Sequence, residues 1–410
     1  MERPQLRLPL PVKVALNTGA LMDVPTGDWI KGTHGQYILN GGIGNITGVV
    51  GPGNSGKTTL MRFMQFSALS RMWAVTKDLF AGLSYDTEIN SHENRNRLLY
   101  KSFEQLKDVE LINDGIWQFT DKTEYAGNEF FEELKKFLRE KRKERNPFKF
   151  TTAYLERDGI TSMRVLPPSI SDFDSLTQFV TADVEKIMET TELGDSSANT
   201  LFMRQGLAKS RMLMELPTLA GGHGHYILFT AHIGSQILMP SAPGTPPPRK
   251  QLQHMNQGEV IKGVTNNFFY LLHNCWLVLT SSPYLNQGTK APEYPYEPGD
   301  EVAGDLDLSL MKIKQLRGKN GASGFIIEIL ISQREGVLQG LTEFHYLKNS
   351  DRYGLEGNDR NYSLVLCPHI SLSRTKVRKA IRENKDLQRA LEITSQLCQM
   401  YEFQRELRGM

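Results

Sequence analysis

The sequence has no hydrophobic run long enough to cross a membrane. Its most apolar stretch, Phe268 to Leu279, is broken by His273 and Asn274 and falls short of the roughly 20 apolar residues a spanning helix needs. Met1 to Val12 carries prolines and early charges instead of a continuous apolar segment, so no secretory signal is expected. Cysteine is scarce. Cys275, Cys367 and Cys398 stand far apart with no CxxC pair, which argues against a disulfide framework or a cysteine zinc site and for a reducing, cytoplasmic setting. Neither charge sign dominates, since 48 Lys and Arg face 46 Asp and Glu for a formal net charge of +2. A nucleic-acid site would therefore be a local patch, not a property of the whole surface. Repeats and low-complexity tracts are also missing. What remains is an ordinary globular composition over 410 residues, enough for one large core and a small appended domain.

Short apolar runs alternate with helical stretches along the chain. Ile46 to Val50 is a β-branched run that stops at Gly51, and Leu60, Met64 and Ala68 follow at helical spacing. Further runs lie at Leu79 to Tyr85, Ser169 to Phe173 and Tyr226 to Thr230, with helical segments at Phe130 to Glu144 and Leu201 to Leu216. This alternation predicts an α/β fold with a mostly parallel, twisted sheet flanked by helices. From Leu308 to Leu341 two strands around a Gly-rich turn (Gly318, Gly321, Gly324) predict an antiparallel edge, and Thr375 to Phe403 reads as helical. The expected division is an N-terminal segment over 1–27 able to contact a second protomer, a core over 28–350 and a helical C-terminal domain over 351–410.

The chemistry begins at Gly51-Pro52-Gly53-Asn54-Ser55-Gly56-Lys57-Thr58, which matches the P-loop pattern in full and continues into Thr59. Glycines let successive backbone N–H groups converge on a phosphate, and the following helix adds its positive end. In such a loop Lys57 reaches the β- and γ-phosphates of ATP, and the Thr58 hydroxyl coordinates Mg²⁺. Asp174 ends the Ser169 run, where an acid can hold the Mg²⁺ water shell; Asp172 competes for that role. Glu88, after the Leu79 run, is placed to polarise an attacking water as general base. Without the P-loop, either acid would read as a solvated strand end.

These residues together resemble the RecA/UvsX recombinases, DNA strand-exchange ATPases with a RecA-like P-loop core. Tyr85-Asp-Thr-Glu88 looks like that family's glutamate-bearing strand, and Asp174-Ser175-Leu176 like its Walker B. Met203 to Arg211 and the strand Tyr226 to His232 resemble the helix and sensor strand of phage-type members. The resemblance implies that His232 senses the γ-phosphate, that Arg95 stacks on adenine, and that ATP lies between protomers of a homo-oligomer. Arg317 and Lys319 then fall where such cores supply cations in trans to a neighbour's phosphates. Lys314 to Gly324 also looks like the strand turn of DnaB-type ring helicases, which leaves a hexameric ring beside the filament as an alternative. The fifty residues before Gly51 leave no room for a replicative helicase's N-terminal domain and favour the filament. The stretch from Trp117 to Pro168 is expected as an insertion.

Two loops follow strands on the face expected to meet single-stranded and duplex DNA. The first spans Asp183 to Asn199. The second, Gly234 to Gly263, is long and proline-punctuated, and carries Arg249, Lys250 and Lys262 to pair with phosphates and Ile237, Leu238 and Met239 to contact bases. The basic run from Lys135 to Lys149 reads mainly as a solvated helix face with intrahelical pairs. The function expected is an ATP-dependent DNA recombinase that assembles on single strands.

Overall fold

Strand and helix alternation resolves into a mixed α/β fold with a large, mostly parallel central sheet flanked by helices. The computed structural model describes residues 15–408 apart from 20, 27, 36, 77–78, 90–91, 144–148, 157, 183, 187–196, 222–223, 236–249, 320–322 and 350–352. A hairpin of β1 (Asp28–Lys31) and β2 (Tyr37–Asn40) precedes β3 (Ile46–Gly51), which runs through the P-loop into α1 (Lys57–Thr76). Then come β4 (Ala81–Asp86), α2 (Glu93–Lys101), β5 (Trp117–Asp121) and α3 (Gly127–Lys143). A separate hairpin, β6 (Phe150–Leu155) and β7 (Ser162–Val165), leads to β8 (Ser169–Asp174). The helix Ser197–Gly221 and β9 (His225–Ser235) follow, then β10 (Glu259–Ile261), β11 (Asn274–Pro283), β12 (Leu308–Gly318), β13 (Ile326–Ser332) and β14 (Gly336–Val337).

The sheet order is β14-β13-β12-β11-β3-β9-β8-β4-β5, with β10 paired to β9. Strands β11, β3, β9, β8, β4 and β5 are mutually parallel. The last three beyond β11 pair antiparallel, as the Gly-rich turn region predicts. Strand parity assigns side chains to faces. Val49, Ile170 and Leu228 join one apolar cluster with Leu60, Met64 and Phe66 of α1. Val50, Phe173 and Phe229 join the other with Phe130 and Leu134 of α3 and Leu213 and Leu216 of the Ser197–Gly221 helix. Both faces of the parallel strands are covered, which explains their nearly continuous apolar runs.

Two expectations change. The stretch Trp117 to Pro168 is more than an inserted excursion: β5 pairs with β4 as the outer strand of the central sheet, and α3 buries Phe130, Phe131, Leu134 and Leu138. The segment 351–410 is not wholly helical. Strands β15 (Leu355–Asn358), β16 (Asn361–Leu364) and β17 (Cys367–Leu372) form an antiparallel sheet before the helices Val377–Glu383 and Lys385–Arg408. Alternating residues pack it down, with Leu364 and Leu372 joining Val377, Leu387 and Leu391 in a third cluster that includes Leu308 and Leu330. All three cysteines are buried, and none is in a disulfide. No helix among the described residues is long and apolar enough to cross a membrane.

The basic run on α3 turns partly inward. Lys135 pairs with Glu132, and Lys136 lies 3.8 Å from Glu133. Lys141 Nζ donates to Ser169 Oγ at 2.7 Å and to the Gly224 carbonyl at 3.3 Å. Burial lowers the Lys141 ammonium from its ordinary 10.5 to about 7. Between these values the unfolded chain binds the proton and the folded chain does not, so this group makes stability rise with pH. Lys141→Met should remove a contribution of up to about 1.4 kcal/mol per pH unit. Urea unfolding at pH 7, 8.5 and 10 reads this directly; identical pH slopes for variant and wild type would assign the rise to other groups.

Candidate functional site

Four parallel strands end side by side. Gly51 of β3 pairs with His232 of β9, Phe173 of β8 with Phe229 of β9, and Asp86 of β4 with Asp174 of β8. The chain leaves β3 through α1 and passes over β9 and β8 to reach β4, whereas β11 later joins on the other side of β3. Strand order therefore reverses at β3, and the crevice outside the carboxyl ends at such a switch point is where open α/β sheets bind ligands.

The loop from Gly51 to Thr58 sits at that crevice. Gly56 has φ of +81°, which a side chain would strain; the turn it permits delivers the chain into α1 at Lys57. Pro52, Gly53, Asn54 and Thr58 are exposed, Gly56 and Thr59 are half-buried, and Ser55 is buried. Lys57 is only 7% exposed, and its Nζ donates to the Pro52 carbonyl at 2.5 Å, which also accepts from Ser55 Oγ at 2.8 Å. Burial pushes the Lys57 ammonium below its ordinary range, against the opposing pull of Glu88 and Asp174.

Even-numbered residues of β4, β8 and β9 face α1. Asp174 Oδ2 accepts from Thr58 Oγ1 at 2.8 Å and Oδ1 accepts from Thr230 Oγ1 at 2.5 Å. Burial raises the Asp174 carboxyl, with Arg62 and the two hydroxyls opposing and Asp172 adding to the rise. Asp172 has a different partner set: Arg62 Nη1 at 2.6 Å, Ser84 Oγ at 2.5 Å and Gln65 Nε2 at 2.8 Å, all buried. Of the two acids, Asp174 is the one that meets the Gly51–Thr58 loop.

Glu88 completes the cluster. Its Oε1 accepts from Ser175 Oγ at 2.7 Å and lies 2.9 Å from His232 Nε2. Burial alone would raise this carboxyl, but the Ser175 hydroxyl, His232 and Lys57 together hold it below the usual range. Thr87 locks the backbone beneath it: its N–H donates to the Asp174 carbonyl at 2.7 Å, and its hydroxyl accepts from Ser175 N at 2.7 Å and donates to the Ser175 carbonyl at 2.8 Å. Lys57, Thr58, Glu88, Asp174 and His232, predicted separately, thus share one site. Sequence reasoning missed Ser175, Thr230 and Thr87. The only signal for them was a hydroxyl residue beside each acid or two residues from His232. Among the described residues no cluster of three or more His, Cys, Asp or Glu could hold a metal by itself.

The remaining predicted residues lie elsewhere. Arg95 donates to the Gln333 carbonyl at 2.8 Å, on the exposed face of α2. Arg317 and Lys319 end β12, where Gly318 pairs with Asn274 and Asn274 with Thr47. Thr47 and Gly51 are four residues apart along β3, or about 13 Å of strand, so these cations lie at the opposite edge of the sheet from Lys57 and do not meet their own chain's P-loop. Arg317 donates to the carbonyls of Leu272 at 3.2 Å and Tyr270 at 3.3 Å, and Lys319 N to that of His273 at 2.9 Å. Lys250 and Lys262 are exposed. Arg249, the tract from Ile237 to Pro248 and most of the Asp183 to Asn199 loop lie outside the described residues.

The depressed Glu88 carboxyl depends on donors, and this can be checked without assuming any activity. Ser175→Ala removes one donor to the carboxylate and should raise the Glu88 titration, because a hydrogen bond to the charged form favours that form. A ¹³C carboxylate titration, with Glu88→Gln to assign the resonance, measures it. An unmoved Glu88 titration would mean that Ser175 does not hold the carboxylate. Set against known proteins, the chain matches no protein-family model and no curated sequence.

Proposed function

We propose that this chain is an ATPase with a RecA-type core that acts on DNA as a recombinase, forming filaments on single strands. The observation that carries this reading is the contact between Glu88 and His232 beside Lys57, Thr58 and Asp174. A base, a cation, an acid–hydroxyl pair and a polar sensor then surround the place where a terminal phosphate would lie at a helix N-terminus.

Within this reading Lys57 turns from the Pro52 carbonyl to the phosphates and offsets their charge. The donors at Thr58 and Asp174 are hard oxygens, and a pair of these with substrate phosphates and water suits Mg²⁺. When bound, the ion neutralises charge on the phosphoryl oxygens. Glu88 takes the proton from the attacking water, and its lowered carboxyl keeps it ready as a base near neutral pH. His232, bonded to the same oxygen, orients Glu88. The opposite-edge location of Arg317 and Lys319 supports action in trans, since each would lie far from its own P-loop and present itself to a neighbour. The exposed Lys262, directly after β10 of the β9–β10 ribbon, and the exposed Lys250 support a local DNA contact.

Lys57→Ala should lose nucleotide binding, whereas Glu88→Gln should bind ATP normally and hydrolyse it about 10²–10⁴-fold more slowly. Isothermal titration and phosphate release separate the two; turnover of Glu88→Gln within a few-fold of wild type would remove Glu88 as the base. Single-stranded DNA should stimulate turnover, and its affinity should fall with salt by about 0.7 in log units per phosphate neutralised.

A mixing experiment tests the trans arrangement. Lys319→Ala leaves each P-loop intact, and Glu88→Gln leaves each trans cation intact. Mixed assemblies contain some interfaces with both groups, so the mixture should regain DNA-stimulated turnover that neither variant has alone. No recovery in assemblies shown to be mixed would exclude Lys319 from a neighbour's site.

A further inference from the structure

Two groups that contact the Glu88 carboxylate, Ser175 and His232, are mounted on segments that a single hydroxyl joins. Ser175 stands two residues before Thr177, in the turn that follows β8. Thr177 Oγ1 accepts from the His232 backbone N–H at 2.8 Å and donates to the Lys262 carbonyl at 3.3 Å. Lys262 N–H in turn donates to the His232 carbonyl at 2.8 Å. Three hydrogen bonds close a ring among the turn after β8, the end of β9 and the residue that follows β10. A threonine hydroxyl has one proton and two lone pairs, so Thr177 serves both neighbours at once.

Two further contacts press this junction together. Gly263 has φ of +75°, and a Cβ there would stand 2.6 Å from the Leu176 carbonyl oxygen and from Thr177 Cα. Only glycine lets the strand run this close to the turn. From the other side the buried Lys209 donates to the Leu176 carbonyl and lies 5.7 Å from the Phe179 ring centroid. Lys262 itself is exposed, so a ligand can load the junction from solvent.

We propose that Thr177 is a positioning residue that couples an anionic ligand on the β9–β10 ribbon, here single-stranded DNA, to the Glu88 base through His232 and Ser175. The proposal rests on the ATPase and DNA reading above. A pull on Lys262 reaches the His232 backbone through one hydrogen bond and the Ser175 turn through another, and the third ties that turn to His232. Both groups on the Glu88 carboxylate then move as one unit.

The test uses full-length wild type, Thr177→Val and Thr177→Ser, each with and without saturating single-stranded oligonucleotide. Valine keeps the shape and removes the hydroxyl; serine keeps the hydroxyl. The expected result is that Thr177→Val retains its melting temperature, KM for ATP and oligonucleotide affinity, with basal kcat within about two-fold, yet loses about ten-fold in DNA-stimulated kcat. Serine should restore stimulation, and Gly263→Ala should uncouple in the same way from the opposite side of the junction. Wild-type stimulation in Thr177→Val overturns the proposal and leaves the ATPase reading standing. An equal fall in basal and stimulated kcat also overturns it, since Thr177 would then act on catalysis alone. A wild type that hydrolyses ATP with no response to DNA would instead defeat the DNA reading, and the coupling with it.

Discussion

The buried pair of Arg62 and Asp172 sets the register on which the site depends. Both side chains are fully buried and their charged atoms are 2.6 Å apart. Removing one partner of such a pair would leave an uncompensated charge and cost about 3–5 kcal/mol. Thr58, Arg62 and Gln65 form one stripe of α1, at the i, i+4 and i+7 spacing that keeps residues on one face, and this stripe lies against Asp174 and Asp172 of β8. Once Arg62 is anchored to Asp172, Thr58 can meet only Asp174. Ser84 and Trp117 extend the network to β4 and β5, because Trp117 Nε1 donates to the same Ser84 hydroxyl that binds Asp172. The Gly51–Thr58 loop is thus held by a polar spine running beneath the sheet's carboxyl edge.

The charges at that edge work against one another in a useful way. Burial raises Asp174 and lowers Lys57, so both are disfavoured in their charged forms. Glu88 is the exception, lowered by donors that outweigh its desolvation. A crevice of this kind favours a ligand that brings its own compensating charge. Thr87 ties the turn that carries Glu88 to the Asp174–Ser175 backbone, so these two acids keep a fixed relation.

The antiparallel strands place other chemistry at a distance. Because β12 runs against β11, its carboxyl end carries Arg317 and Lys319 to the edge where the parallel strands begin. Its middle does the opposite, since Met311 lies close enough to Gly56 that a Cβ there would come within 2.6 Å of the Met311 methyl. One strand therefore packs against the Gly51–Thr58 loop near its start and carries Arg317 at the opposite edge of the sheet.

Local patterns determined a good deal by themselves. The strand, loop and helix around Gly51 to Thr58 are legible because glycine spacing, the β-branched run before it and the helical period after it are all properties of adjacent residues. The parallel sheet and its antiparallel edge follow from element alternation and from the glycines at 318, 321 and 324. Glu88 and Asp174 could be named because each follows an apolar run, and parallel strands bring such ends together; His232 is legible only through the resemblance to RecA/UvsX sequences. The Ser-Leu that follows Asp174 already favours it over Asp172 in the sequence; tertiary structure adds the physical separation, since both point to the same face and Arg62 takes Asp172 while Thr58 takes Asp174. It alone revealed Thr230, Ser175 and Thr177, whose single hydroxyls carry no sequence pattern until their partners, distant in the chain, are in place. It also absorbed Trp117 to Asp121 into the sheet and built a small sheet before the C-terminal helices, because strand pairing is a contact between segments and leaves little trace in either one.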